Sequence, residues 1–199
     1  MSEIETVTPE TPAEQPAHTN TGKNGKPKKS AKREALEWVL TIVAALAIAF
    51  VIRTFLFEPV RVSGDSMYDT LIHNERMFVE KVSYWFERPQ RGQIIICYYP
   101  NHTSTCVKRI IGVPGDRVAI TGGELYLNGE KLDESAYWED LIWGDMAEIT
   151  VPEDCVFVMG DNRNDSSDSR SPLVGPIPYS RIVGRVRSVI WPIEEARKV

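Results

Sequence analysis

Histidine and cysteine are scarce in this sequence, with three of each among 199 residues. His18, His73 and His102 are scattered and lack metal-ligand spacing, so no metal site is expected. Cys97, Cys106 and Cys155 are too few and too dispersed for a disulfide-rich scaffold. No segment repeats, and no cofactor-binding pattern is present. A net charge of -5 gives no sign of a nucleic-acid partner. Only one apolar run has membrane length, and after it no helical hydrophobic period is visible. The length leaves room for one ordinary domain with appendages.

The first 33 residues are rich in Thr, Pro, Glu, Lys, Asn and Gly and nearly free of large apolar side chains. Such a segment buries too little surface to offset its ordering entropy, and it reads as a disordered tail. Lys23, Lys26, Lys28, Lys29, Lys32 and Arg33 crowd together in it. They could be a nucleic-acid patch or a topology signal, and the apolar run directly after them favours the second. Residues 38–52 carry no charge, and past Arg53 the apolar character resumes through Phe55-Leu56-Phe57. That stretch matches the roughly 20 residues a helix needs to cross a bilayer core, with Arg53 able to snorkel to the headgroups. The rival reading is a cleavable export signal. Its small-x-small triplets, such as Ala45-Leu46-Ala47, lie inside the apolar run rather than after it. Residues 34–57 are therefore read as a retained single-pass anchor. The basic cluster keeps residues 1–33 cytoplasmic and puts residues 58–199 outside the cytoplasm.

From Val60 onward the texture is β. Short runs rich in Val, Ile and Tyr alternate with Gly, Pro, Asn and Asp, at 77–79, 94–99, 107–113, 117–120, 124–127, 155–159 and 182–191. Asn128-Gly129 is a strong hairpin signal. The expectation is a mainly β protein, an all-β barrel or sandwich-like body behind one transmembrane helix.

Three stretches carry chemistry. The first is Ser63-Gly64-Asp65-Ser66-Met67-Tyr68-Asp69-Thr70-Leu71, in which Ser66 is either a turn residue or a nucleophile. The second contains Lys108, in Val107-Lys108-Arg109-Ile110-Ile111-Gly112-Val113-Pro114-Gly115-Asp116. On a strand Lys108 shares its face with Ile110, while Val107, Arg109 and Ile111 face the other way. An apolar seat would lower the lysine pKa and let the neutral amine take a proton from a serine hydroxyl. The bland reading is a solvated surface charge. The third is Gly160-Asp161-Asn162-Arg163-Asn164-Asp165-Ser166-Ser167-Asp168-Ser169-Arg170. It is either a solvated polar turn or a support shell for the amine.

In their order, and with the anchor in front, these stretches resemble the sequence boxes of bacterial type I signal peptidases. The likeness covers nearly everything from Trp38 to the C-terminus, including the Arg91-Gly92 strand entry. It implies a membrane-anchored serine endopeptidase that cuts N-terminal signal peptides from exported preproteins after a small-x-small motif. Ser66 would be the nucleophile and Lys108 the general base, and Ser166 resembles the serine that hydrogen-bonds the lysine. Asp161 with Arg109, and Asp168 with Arg170, look like the family's structural ion pairs. Lysine rather than histidine at 108 resembles the prokaryotic branch. The implied partners are signal peptides and membrane lipid, with no nucleic acid, no cofactor and a monomeric state.

Gly64 stands where some members carry an oxyanion-stabilising serine, a departure that resembles the Gram-positive subgroup. The oxyanion hole then relies on backbone donors, the Ser66 N–H and a second one not identifiable from sequence. Asp69 replaces a usual proline and Gln93 a usual aspartate, both peripheral to the Ser/Lys pair. The short 116–160 segment implies a reduced second subdomain within about 117–157. Cys97 and Cys106 bracket a hairpin loop and could pair in an oxidising compartment, leaving Cys155 as a core thiol. Phe55, Phe57, Trp85 and Phe86 are candidates for headgroup contact, with core packing the alternative for the last two. Asn101-His102-Thr103 and Asn164-Asp165-Ser166 match the glycosylation pattern by chance. A catalytically silent membrane-anchored β domain that binds exported chains or assists assembly is the alternative function. A self-cleaving repressor would need a DNA-binding helical domain, for which the tail and anchor leave no room.

Overall fold

The structure, a computed structural model, describes residues 31–53, 57–100 and 103–199. The chain divides into two compact units, Met1–Ile42 and Val43–Val199, and all strands lie in the second. The tail to residue 30, Phe55, Asn101 and His102 lie outside the described residues, and with them most of the basic cluster.

Helix α1 spans Ala31–Val51 and buries none of its residues. Its 21 residues rise about 31 Å, enough to cross a hydrocarbon core of roughly 30 Å. The expected boundaries of 34 and 57 shift at both ends. Ala31, Lys32 and Arg33, expected in the disordered tail, are helical. The segment Ala-Lys-Arg-Glu-Ala-Leu consists of strong helix formers, and Arg33 pairs with Glu37 one turn on at 3.6 Å. Hydropathy marks only the apolar part of such a helix. Phe57, expected at the anchor's end, opens a strand opposite Glu80.

Among the described residues the β body holds twelve strands: β1 (Phe57–Arg61), β2 (Arg76–Glu80), β3 (Ile94–Tyr98), β4 (Thr105–Gly112), β5 (Arg117–Thr121), β6 (Glu124–Leu127), β7 (Glu130–Lys131), β8 (Met146–Thr150), β9 (Cys155–Met159), β10 (Ile177–Pro178), β11 (Ile182–Trp191) and β12 (Arg197–Lys198). The larger sheet runs β1-β2-β11-β3-β4-β9-β10, with β12 on β11, and β7-β6-β5-β8 form a second, four-stranded sheet. All pairings are antiparallel. The fold is mainly β, with an open large sheet rather than a closed ring of strands. Strand β8 (Met-Ala-Glu-Ile-Thr) escapes the sequence reading because none of its residues is buried, so it lacks a continuous apolar signature.

Helix α2 (Ser83–Phe86) is a single turn and too short to show a period. The Glu80 carboxylate holds its start, accepting from the Ser83 N–H at 2.5 Å and the Ser83 hydroxyl at 2.6 Å. Trp85 and Phe86 are 62% and 82% exposed, so neither is a core residue.

Two features of this fold position the chemistry. Strand β4 is interior, with Ile95 of β3 opposite Lys108 and Met159 of β9 opposite Arg109. The loop that begins at Gly160 therefore leaves β9 beside Lys108 and Arg109. The Ser66 stretch closes the β1–β2 hairpin, with the ladder extended by Val62 N–H to Glu75 O and Asn74 N–H to Val62 O. Met67 and Leu71 are buried in a core with Met77, Val79, Ile94 and Val186. Burying the side chain next to Ser66 leaves little freedom to the hydroxyl's own backbone.

Candidate active site

Ser66 sits at the start of a turn in which Tyr68 N–H donates to Asp65 O and Leu71 N–H to Met67 O. Gly64 supplies the left-handed conformation that precedes it, at φ +94°. The Gly64 N–H donates to His73 Nδ1 at 3.1 Å, and among the described residues no acceptor engages the Ser66 N–H.

Lys108 crosses to this turn from β4. Its Nζ lies 2.6 Å from Ser66 Oγ and donates to the Val107 carbonyl at 3.0 Å. Lys108 is only 3% exposed, and no carboxylate among the described residues comes within ion-pairing distance of the amine. Burial pushes its pKa below the ordinary lysine value, against the opposing charges of Cys106, Asp168, Cys97 and Asp161. In the neutral amine the nitrogen has a lone pair, and the same short contact can then run with the hydroxyl donating.

The 160–170 loop is built against both residues. Asn162 donates its backbone N–H to Ser66 O at 3.1 Å and its side-chain amide to Asp65 O at 3.2 Å. Asp161 accepts two bonds from Arg109, at 2.7 and 2.6 Å, and Arg109 also reaches Gly92 O at 3.0 Å. Asp168 accepts from Arg170 at 2.8 Å twice and from the Gly160 N–H at 3.0 Å. Both expected ion pairs are thus present in the geometry, with Asp161 and Asp168 fully enclosed.

Ser166 differs from expectation. Its Oγ is buried but makes no hydrogen bond, to Lys108 or to any other described residue. It lies over Gly160 together with the Ser66 carbonyl.

Sequence reasoning passes over Glu134 and Tyr137, and names Arg163 within its polar loop without giving it a role. Arg163 has no exposed side-chain surface and donates to Glu134 at 2.5 Å and to the Gly160 carbonyl. The Tyr137 ring packs under both Arg109 (4.2 Å) and Arg163 (5.3 Å). Glu134 and Tyr137 sit in a polar loop with no pattern that signals burial; only the full set of contacts reveals them. Gln93, read as peripheral, accepts from the Tyr84 hydroxyl at 2.7 Å and touches neither Ser66 nor Lys108.

A cleft of about 330 Å³ opens over Ser66 and Lys108, lined by Val60, Val62, Met67 and Val107 among others. Cys97 and Cys106 face each other across β3 and β4 as free thiols, their sulfurs 3.4 Å apart. Cys155 packs against the core, as expected. Among the described residues no group of His, Cys, Asp and Glu could hold a metal ion.

Residues 35–191 match the family described as signal peptidase, peptidase S26. The chain is 40% identical over 188 residues to signal peptidase I T of Bacillus subtilis (strain 168), covering 88% of this chain and 97% of that one. It is 40% identical over 176 residues to signal peptidase I of Bacillus licheniformis (84% and 94% covered), and 37% identical over 202 residues to signal peptidase I of Leptolyngbya laminosa (96% and 93%). A crystal structure of a signal peptidase I from Enterococcus faecalis V583 aligns at 30% identity and a TM-score of 0.42, covering 50% of this chain and 97% of that one. The chain is a hydrolase. It belongs to the signal peptidase family, peptidase S26, among the serine endopeptidases of the signal peptidase I kind.

Proposed function

We propose that this enzyme removes N-terminal signal peptides from exported preproteins, with Ser66 as nucleophile and Lys108 as general base. The observation that carries the reading is the 2.6 Å contact between Ser66 Oγ and a nearly enclosed amine. Lys108 takes the hydroxyl proton as Ser66 attacks the scissile carbonyl. The Ser66 N–H, free of other acceptors, faces the developing oxyanion. Collapse of the tetrahedral intermediate leaves an acyl-enzyme, and Lys108 passes its proton to the departing amine. The lysine then activates the deacylating water. Ser166, whose buried Oγ has no partner among the described residues, is in this reading the hydroxyl that orients the lysine.

The cleft's valine and methionine walls suit small apolar side chains before the cut, in keeping with a small-x-small motif. Helix α1 is the anchor in this reading, single-pass, with the basic tail cytoplasmic and the β body outside. The enzyme acts as a monomer at the lipid surface.

The test is cleavage of a purified precursor by the full chain in detergent. Ser66→Ala is expected to abolish processing, and Lys108→Ala to lower it roughly 10²–10⁴-fold. Undiminished processing by either variant would sink the pair. A wild-type protein that binds precursor without cutting it would favour the silent-domain alternative.

A further inference from the structure

On the face of β4 that carries Lys108, the neighbouring titratable group is a cysteine that the peptidase reaction does not use. Cys106 and Lys108 are two residues apart on β4, so both side chains leave the same face. Both line the cleft that holds Ser66. Directly across the ladder from Cys106 stands Cys97, in register, with the sulfurs 3.4 Å apart. Paired residues in an antiparallel ladder have Cα atoms about 4.5–5.5 Å apart, within the range a disulfide spans. Cys97 is fully buried, so Cys106 is the member of the pair that the cleft exposes.

We propose that Cys97 and Cys106 form a two-state thiol–disulfide pair beside the catalytic amine, and that Cys106 is a positioning residue whose charge decides the pH at which Lys108 works. The proposal rests on the reading of Ser66 and Lys108 as the catalytic pair.

The other charged or titratable groups around the amine are already matched. Asp161 is paired with Arg109 and Asp168 with Arg170. The Tyr99 hydroxyl donates to Ser167 O and is also a hydrogen-bond partner of Cys106, and Arg61, at the cleft's edge, donates to Asn74. Cys106 has no cation of its own except Lys108. A hydrogen bond from Cys97 holds the Cys106 thiol below its ordinary value, against burial and together with the charge of Lys108. Because Cys106 and Lys108 leave one face of β4 into one cleft, the proton passage proposed for the dithiol state runs from the Cys106 thiol to Nζ. The ammonium so formed has no lone pair with which to accept the Ser66 proton.

Oxidation removes this acid. The Cys106 thiolate attacks a small-molecule or protein disulfide, breaking its S–S bond and releasing one thiolate. Cys97 then loses its proton and attacks the Cys106 sulfur of the mixed disulfide, releasing the second. Two electrons and two protons pass from the pair to the oxidant, which leaves as two thiols. The Cys97–Cys106 disulfide bears no charge, and Lys108 stays neutral to lower pH.

The experiment measures kcat/KM for a precursor peptide against pH, using the full chain in detergent equilibrated with dithiothreitol or with glutathione disulfide. Intact mass reads the state of the pair as the loss of two hydrogens. Oxidation is expected to move the acid limb down by about two to three pH units, the order produced by one charge a few ångströms away at an effective dielectric of about 20. At a fixed pH well down that limb this is a gain of about a hundred- to a thousandfold. Cys106→Ser should keep the lower limb whatever the redox state, and Cys106→Asp should move it up, which a change in packing alone would not do. Coincident limbs in both states and in Cys106→Ser would overturn the proposal, as would failure of the pair to lose its hydrogens. The two readings fail separately: Lys108→Ala must show the roughly 10²–10⁴-fold loss for the dyad to stand, whereas this inference falls if that loss is found but the limb does not move.

Discussion

Gly160 lies so close to the carbonyl oxygen of Ser66 that no side chain fits between them. A Cβ at 160 would run into that oxygen and into Ser166 Oγ. The loop approaches Ser66 through a glycine because Asn162, two residues on, must reach the same carbonyl with its N–H. Gly160→Ala is expected to destabilise the protein by roughly 1–3 kcal/mol and to lower kcat more than it raises KM. Gly64 is the comparison. A Cβ there meets nothing within 4 Å, but φ is +94°, so Gly64→Ala carries only conformational strain of roughly 1–2 kcal/mol. Thermal melts and precursor cleavage on the two variants separate crowding from strain.

Lys108 should weaken the fold that it serves. Its folded pKa lies below the ordinary value of 10.5 because burial disfavours the charged form. The unfolded chain therefore holds this proton more tightly, and stability rises with pH between the folded and the unfolded values. Below the folded value the full penalty applies, about 1.4 kcal/mol for every tenfold loss of proton affinity. Lys108→Met, which keeps the stem and discards the charge, is expected to melt higher than wild type at neutral pH while losing activity. The gap should close as pH approaches 10.5. A lower melting temperature for Lys108→Met at about pH 7 would mean that the amine is not held at a cost.

Much of the site is legible in the sequence because its chemistry is local there. Lys108 and Ile110 alternate with Val107 and Arg109 on one strand, so the face that receives the amine follows from the pleat alone. The clustering of charge between Asp161 and Arg170 likewise announces a special loop. The distant partners are less legible. Nothing in Asp133-Glu134-Ser135 says that Glu134 leaves solvent to meet Arg163, because that burial depends on a distant loop closing over it. The helix start at Ala31 is hidden because charged residues continue a helix without continuing its hydropathy. The Ser166 hydroxyl depends on a single rotamer, and rotamers leave no trace in sequence.

The Arg109–Asp161 pair should matter far more than the surface pairs. Asp161 is wholly enclosed and Arg109 nearly so, at 0% and 13% side-chain exposure. Removing one partner strands the other, at about 3–5 kcal/mol. Asp161→Ala is therefore expected to lose that much in chemical denaturation and to lose activity as the loop leaves Ser66. Joined to Arg109→Met, it should regain much of the stability but little of the activity. Glu124→Gln, which breaks the exposed pair with Lys131, should leave the denaturation midpoint close to that of wild type.

Asp116 gives the acid side of the stability curve. Burial alone would raise its pKa, but Arg91, the Val113 N–H and Asn128 together hold it below the ordinary value of 3.8. A carboxylate depressed in the folded state contributes stability that is complete above the unfolded value. That contribution is lost as pH falls below about 4 and through the folded value. These bonds fix the Gly112–Asp116 turn at the end of the strand that carries Lys108. Asp116→Asn keeps the shape but not the charge, and is expected to lose about 1.5–3 kcal/mol at neutral pH. Its unfolding free energy should fall less steeply than that of wild type between about pH 5 and pH 2. Parallel curves for the two proteins across that interval would show that Asp116 titrates alike in both states, and the turn would then owe its geometry to Gly115 rather than to the ion pair.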